Sequence, residues 1–158
     1  MSAPFRVLLR VRYGECDAQH IVFNARWGDY VDVAATEYTR AVFGGVDAAA
    51  AGMDWRLVRQ VLEWRAPARF DDVLEARVRT VAVGTTSFTL ATEFVRWPDG
   101  AALVTAETVY VAVDPDAGGK RPVPDASRRA LEAGAPGQLV DQAGVTPPAA
   151  PSQPLPLA

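Results

Sequence analysis

The sequence predicts an α+β fold in which one long helix lies inside a curved, five-stranded antiparallel sheet. Three observations lead to this prediction: one amphipathic helical stretch, five extended stretches, and short turn signals between the later strands. A helix of about 19 residues spans roughly 28 Å. A strand of about 10 residues spans roughly 34 Å, so the sheet is long enough to wrap the helix.

The first two elements are the most strongly patterned. Residues 5–13 alternate between apolar and mostly basic side chains, which is typical of a half-buried strand. From residue 25 to residue 43, apolar side chains recur at three- and four-residue steps, which indicates an amphipathic helix. Asn24 is expected to cap the start of this helix, and Gly44 is expected to end it.

The remaining elements follow in a simple order. The predicted strands are residues 55–65, 73–83, 87–97 and 101–114, and a short helix covers residues 126–133. From Gly134 onward the chain is rich in proline, alanine and glycine. We therefore expect one domain over residues 1–133 and a disordered tail over residues 134–158.

Composition excludes several classes of protein. The chain has 158 residues and a net charge of −3, which gives no general attraction to nucleic acid or to anionic membranes. No apolar run approaches the roughly 20 residues that span a bilayer, and the amino terminus carries no secretory signal pattern. Cys16 is the only cysteine, so no internal disulfide can form. We expect a soluble cytoplasmic protein without nucleic-acid or membrane partners.

The segment between the first strand and the helix is the least regular and the richest in chemistry. Asp17 precedes the helix by a few residues, where free backbone N–H groups can bind a developing oxyanion. Thioester hydrolysis needs little more, because a thiol with a pKa of about 8.5 leaves without a strong general acid. The alternative is that Asp17 hydrogen-bonds its own backbone in a turn, and spacing alone favours that interpretation.

This segment resembles the active-site loop of the 4-hydroxybenzoyl-CoA thioesterase family of hotdog enzymes. Asp17, the Ile21–Val22 pair, Phe23 and Trp27 fit the family pattern. Further similarity lies in residues 66–74, 83–88 and 119–124, so the resemblance covers roughly residues 5–133. It implies a hotdog thioesterase that acts as a homodimer or homotetramer on an acyl-CoA. It also implies that Asp17 is the catalytic carboxylate and that the backbone N–H of Asn24 is the oxyanion donor.

The chain departs from the family pattern at three places. His20 replaces a glycine, Arg26 replaces an asparagine, and residues 84–86 lack the basic side chains that meet the CoA phosphates in the aryl-acyl branch. Phosphate contacts must then come from other cations, for which the candidates are Arg65, Lys120, Arg121, Arg128 and Arg129. Alternatively, the thioester is carried by an acyl carrier protein, and the five cations are ordinary solvated charges.

Other side chains are candidates for substrate contacts, although a simpler interpretation exists for them as well. They are His20, Phe23, Asp32, Thr86 and Ser87. Asp32 either accepts from a hydroxyl of the acyl group or lies on the helix surface, and His20 either lines the pocket or faces solvent. Cys16 is expected to be a small buried residue, because no His–acid pair stands at a spacing that would orient it as a nucleophile. One histidine and one cysteine favour neither a metal nor a redox cofactor.

Two other functions remain open at this point. A hotdog hydratase or dehydratase would use an Asp and a His five residues apart or a lone catalytic His in a loop, whereas Asp17 and His20 are three apart. A non-catalytic acyl-binding protein would need no carboxylate at all. In either case, an open sheet around one helix leaves edges that a second copy would cover.

Overall fold

A computed structural model describes residues 3–146 and has the α+β class that the sequence predicts. The strands are β1 (Phe5–Arg10), β2 (Asp54–Trp64), β3 (Val73–Val83), β4 (Ser87–Trp97), β5 (Ala102–Val113) and β6 (Leu139–Asp141). The helices are α1 (Arg26–Phe43), α2 (Ala48–Ala51) and α3 (Asp125–Ala133), and a single 3-10 turn covers Tyr13–Glu15.

The sheet has six strands and is mixed, so the prediction of five antiparallel strands is wrong in both respects. Its order is β2-β5-β4-β3-β1-β6. The five strands that the sequence predicted are antiparallel to their neighbours, and β6 lies parallel to β1. The arrangement of one long helix on this sheet still fits the expected hotdog architecture.

Strand β6 lies inside the segment that was expected to be disordered, and that expectation is wrong for these residues. The Arg6 N–H donates to the Gln138 carbonyl at 3.0 Å, and the Gln142 N–H donates to the Leu8 carbonyl at 2.9 Å. The segment is therefore held by backbone pairing to the edge of β1, which side-chain patterning does not reveal. Residues 147–158 of the predicted tail lie outside the described residues.

Helix α1 packs its apolar face on β1, β3 and β4. Trp27 and Tyr38 are almost fully buried, and the Trp27 ring meets the Phe94 ring edge-on at a centroid distance of 5.3 Å. The helix ends as predicted at Gly44, which adopts a φ of 75°. Its start differs from the prediction, because Ala25 holds the N-cap position and no side chain of residues 3–146 caps the helix.

Strand β2 forms the other edge of the sheet and exposes several large apolar side chains. Leu57, Val58 and Trp64 are 49%, 58% and 50% exposed, respectively. A long apolar edge strand is a ready template for pairing with another strand. Within residues 3–146, each helix is too short or too polar to cross a bilayer.

Candidate active site

The segment that carries Asp17 is a small hairpin next to the start of α1. The Asp17 N–H donates to the Ile21 carbonyl at 2.9 Å, and the Phe23 N–H donates to the Glu15 carbonyl at 2.9 Å. These two bonds flank the bridge between Cys16 and Val22. The hairpin is thus closed at both ends, and its backbone leads directly into the helix.

A second set of contacts ties the hairpin to the rest of the fold. The Val22 N–H donates to the Ala68 carbonyl at 2.8 Å, and Ile21 forms a bridge with Arg69. The chain before the hairpin is held by the Val11 N–H, which donates to the Asp72 carbonyl at 2.9 Å. The hairpin therefore sits at the end of the sheet where β3 begins.

The Asp17 side chain is half-buried, and part of it has the turn role that spacing alone suggested. Its Oδ1 accepts from the Gln19 N–H at 2.8 Å. Among residues 3–146, no donor contacts its Oδ2. Because an ionised carboxylate has two oxygens with about four acceptor positions, the turn contact leaves capacity for a substrate or a water.

Free backbone donors lie just after this hairpin, at the amino end of α1. The N–H groups of Arg26 and Trp27 already donate to the carbonyls of Phe23 and Asn24, at 2.9 and 3.4 Å. The N–H groups of Asn24 and Ala25 have no acceptor within the described part of the chain. Such groups carry the partial positive charge of a helix amino end, which suits them to an oxyanion.

His20 stands at a position that favours glycine. Its φ is 62°, in the left-handed region where a Cβ is strained, and its N–H donates to the Asp17 carbonyl at 2.9 Å. The conformation gives a physical reason for the glycine of the family pattern. The side chains of His20 and Phe23 are both exposed, and Phe23 has 49% of its surface accessible.

A buried carboxylate that the sequence did not single out, Glu15, lies two residues before Asp17. Glu15 Oε2 accepts from the Tyr30 hydroxyl at 2.5 Å and from the Arg12 N–H at 2.7 Å, and its Oε1 accepts from Arg12 Nε at 2.9 Å. Burial raises the pKa of Glu15, but the bonds from Tyr30 and Arg12 outweigh it and leave the pKa below its ordinary value. Since its oxygens are occupied, Glu15 is poorly placed to act as a base, and Asp17 is the more available carboxylate.

Cys16 lies between these two carboxylates. Burial and the negative charges of Glu15 and Asp17 raise the pKa of its thiol. A raised pKa disfavours the thiolate, which is the nucleophilic form. Cys16 was expected to be a small buried residue; it packs against the core but is only half-buried.

Asp32 lies further along α1; it is exposed on the helix surface and also contributes to the wall of a small cavity of about 70 Å³. The wall of this cavity also includes Thr36, Trp55 and Tyr110. Burial and the charge of Asp32 raise the pKa of Tyr110 to about 12, so its hydroxyl is protonated at neutral pH. The cavity thus combines an acceptor and a donor between α1 and the strands β2 and β5.

Thr86 and Ser87 lie far from Asp17 in the same chain. They follow the turn after β3, where Val83 pairs with Phe88, whereas the Asp17 hairpin lies near the other end, where Val73 pairs with Trp97. A strand of this length spans roughly 34 Å. One chain therefore brings Asp17, Asn24, His20 and Phe23 together but does not bring Thr86 and Ser87 to them.

The five basic side chains predicted as candidates for phosphate binding differ in whether another group of the protein already occupies them. Arg128 donates to the carbonyls of Val83 and Gly84 at 3.0 and 2.7 Å, which braces the turn before Thr86. Arg65 lies 3.6 Å from Glu63, and Arg121 lies 4.0 Å from Asp114. Within the described residues, Lys120 and Arg129 make no ion pair.

Lys120 also lies near the Thr86 turn. It forms a bridge with Val113, and the neighbouring Ala112 N–H donates to the Thr86 carbonyl at 2.8 Å. Among residues 3–146, no group of three or more His, Cys, Asp and Glu side chains could hold a metal ion.

Comparison with known proteins adds independent findings. A family model described as the thioesterase-like superfamily matches residues 11–131. The protein named acyl-CoA thioester hydrolase YbgC from Shigella flexneri is 32% identical over 112 residues, covering 70% of this chain and 83% of the relative. Proteins with the same name from two strains of Escherichia coli match equally well.

Solved structures resemble the fold at lower sequence identity. A gentisyl-coenzyme A thioesterase has a TM-score of 0.68 at 22% identity, covering 80% of this chain and 98% of that one. A 1,4-dihydroxy-2-naphthoyl-CoA thioesterase from Synechocystis has a TM-score of 0.70 at 17% identity, with coverages of 82% and 96%. A Staphylococcus aureus protein in complex with CoA has a TM-score of 0.76 at 9% identity, with 84% of each chain covered.

These similarities agree with the motif resemblance and confirm the family that it indicated. The family model spans most of the chain, and the curated relatives match over most of their own length. The chain belongs to the thioesterase-like superfamily and is a thioesterase.

Proposed function

We propose that the protein hydrolyses an acyl-CoA thioester to a carboxylic acid and free CoA, with Asp17 as its catalytic carboxylate. One observation carries the proposal: the half-buried carboxylate of Asp17 lies a few residues before the N–H groups of Asn24 and Ala25, which have no acceptor among the described residues. The YbgC relatives support the substrate class, because their name specifies acyl-CoA. The model of the thioesterase-like superfamily matches residues 11–131, which include both groups.

Asp17 can start the hydrolysis by either of two routes. Its carboxylate either attacks the thioester carbonyl directly or takes a proton from the water that attacks. In both routes the carbonyl oxygen becomes negative, and the Asn24 N–H donates a hydrogen bond to it. The tetrahedral intermediate then collapses and expels the thiolate of CoA. In the direct route, water subsequently hydrolyses the acyl–Asp17 anhydride.

The acyl group is proposed to run from the hairpin along α1. Phe23 and His20 would contact it near the thioester, and the cavity beside Asp32 would receive its far end. Asp32 can accept a hydrogen bond from a hydroxyl on the acyl group, and Tyr110 can donate one. A hydroxylated acyl group would thus be favoured over its unsubstituted analogue.

The complete substrate site is proposed to form between two copies of the chain. Because Thr86 and Ser87 lie at the opposite end of β3 from Asp17, a single CoA molecule would meet Asp17 of one copy and the Thr86 turn of another. Lys120 and Arg129 are the cations best able to receive its phosphates there. The apolar edge of β2 supports a homodimer, and a homotetramer would follow from pairing two such dimers.

A panel of thioesters tests this function. Aryl and alkyl CoA esters would be offered to the full chain, and release of free thiol would be measured. We expect turnover of at least one acyl-CoA. A change in enoyl absorbance without thiol release would favour a hydratase, and binding without turnover would favour an acyl-binding protein.

A second comparison tests how the thioester is carried. If Lys120 and Arg129 bind the CoA phosphates, KM for the acyl-CoA should rise with salt concentration, and KM for the matching pantetheine thioester should not. Equal KM values for both thioesters at every salt concentration would instead favour an acyl carrier protein as the carrier.

A further inference from the structure

We infer that Glu15 is a positioning residue for the proposed hydrolysis and that it holds Asp17 in register with the amino end of α1. The inference rests on the proposed function, because it concerns the geometry of the same two groups. It assigns no contact with substrate to Glu15.

The contacts of Glu15 join the hairpin to α1 and to the segment that leads into α1. Its carboxylate accepts from the Tyr30 hydroxyl, which lies in the second turn of α1, at 2.5 Å. Its carbonyl accepts from the Phe23 N–H at 2.9 Å, just before the free N–H of Asn24. Asp17 is only two residues further along the chain. One residue therefore fixes the hairpin against both the helix and the segment that leads into it.

The hydrogen bonds among Glu15, Tyr30 and Arg12 stabilise this position of the hairpin. Glu15 is 9% exposed and Tyr30 is 5% exposed, so their hydrogen bond is shielded from water. The Arg12 N–H and Nε supply two further donors to the carboxylate, at 2.7 and 2.9 Å. Burial and the bond to Glu15 raise the pKa of Tyr30, so its hydroxyl remains a donor at any physiological pH. Removing one partner would leave a buried polar group unsatisfied.

A loosened hairpin should affect turnover more than binding. The acyl and CoA contacts proposed above lie mainly on other elements, so KM should change little. The separation of Asp17 from the oxyanion donor matters for the reaction step, where misplacement by about 1 Å can cost about 10²-fold. For Glu15→Ala we expect kcat to fall by about 10²-fold and KM to stay within about threefold.

Glu15→Gln is the conservative rescue. The amide oxygen can replace Oε2 and keep the bonds to Tyr30 and Arg12 N, while the exposed Arg12 side chain can move away from the amide nitrogen. We expect most of kcat to be retained in Glu15→Gln. An equal loss in both variants would show that the negative charge matters rather than the positioning, and would overturn the inference.

Tyr30→Phe and Tyr38→Phe form a matched pair that covers the case in which Glu15→Ala does not fold. Both tyrosines lie on α1 and are buried, but the Tyr38 hydroxyl bonds to Thr80 Oγ1 at 2.9 Å, away from the hairpin. Tyr30→Phe should lower kcat by about tenfold, and Tyr38→Phe should cost stability with little change in kcat. Equal effects of the two variants on kcat would overturn the inference.

Asp17→Asn separates this inference from the proposed function. If Asp17→Asn keeps full turnover, the proposed function fails and Glu15 has no catalytic group to position. If Asp17→Asn is inactive while folded Glu15→Ala keeps the wild-type kcat, only the positioning role is refuted.

Discussion

Replacement of His20 by glycine should stabilise the protein without slowing its chemistry. His20 has a φ of 62° and an exposed side chain. Glycine at this position would relieve the backbone strain, and the loss of the exposed imidazole would remove little buried surface. A non-glycine residue in the left-handed conformation costs about 1–2 kcal/mol. The greater entropy of glycine in the unfolded chain offsets about 0.4–1 kcal/mol of that gain.

The expected net gain is up to about 1 kcal/mol, which for a chain of this size raises Tm by about 2–4 °C at most. His20→Ala is the matched control, because it also removes the imidazole but keeps a Cβ in the strained conformation. Its Tm should not exceed that of the wild type. Thermal unfolding gives the three Tm values, and thiol release gives kcat and KM for each variant.

The kinetics of the same variants test the role of the imidazole. If His20 only contacts substrate, both variants raise KM and leave kcat within about twofold. If His20 moves a proton in the reaction, kcat falls in both by about 10²–10⁴-fold. That fall in kcat would show that the imidazole takes part in the reaction, and a Tm for His20→Gly no higher than that of His20→Ala would show that the backbone at residue 20 is not strained.

Two further predictions concern the edges of the sheet. Light scattering at micromolar concentration should give the wild-type protein a mass of at least a dimer. The Val58→Asp variant should have a lower mass, closer to a monomer, because a charge on the β2 edge opposes pairing. A monomeric mass for the wild-type protein would contradict the dimer. At the other edge, Asp141 accepts from backbone N–H groups of residues 143–146 and from the Thr146 hydroxyl, and these bonds lower its pKa from 3.8 to about 2. Because the folded-state pKa is the lower one, the stabilisation is complete above about pH 4 and is lost as pH falls toward 2. Amide exchange should therefore show weaker protection of Gly144 and Val145 at pH 2 than at pH 5, and protection that does not change with pH would contradict this role of Asp141.

Much of the fold could be predicted because its elements have strong side-chain patterns. The bounds of β3 and β4 were predicted to the residue, and those of α1 to within one residue at its start. Helix α2 and strand β6 were not predicted. Helix α2 is a single turn of alanines capped by Asp47, whose Oδ1 accepts from the Ala50 N–H at 2.9 Å. Strand β6 is three residues long and depends on backbone bonds to β1, so neither element has a periodicity that a sequence can reveal.

Part of the candidate site could likewise be predicted from the sequence, and part could not. The irregular segment before the helix directed attention to Asp17 and His20, but the resemblance to the family was needed to assign a catalytic role to Asp17 and to include Phe23, because spacing alone favoured a turn role for Asp17. The burial of Glu15 could not, since a glutamate in a polar segment is expected to face solvent. The signal that was present is the spacing of Arg12 and Glu15 by three residues together with Tyr30 on the apolar face of the helix. The remote position of Thr86 and Ser87 depends on the pairing of β1 with β3, which places the Asp17 hairpin at the start of β3 and which only the assembled sheet gives.

Whether Asp17 carries out the hydrolysis is decided by the kcat of the Asp17→Asn variant. Asparagine keeps the size of the side chain and the Oδ1 contact with Gln19, and it removes the negative charge. The measurement is thiol release from the best acyl-CoA of the panel, on protein whose Tm matches the wild type. We expect kcat to fall by about 10²–10⁴-fold or more, with KM little changed. A folded Asp17→Asn variant with near wild-type kcat would contradict this role of Asp17.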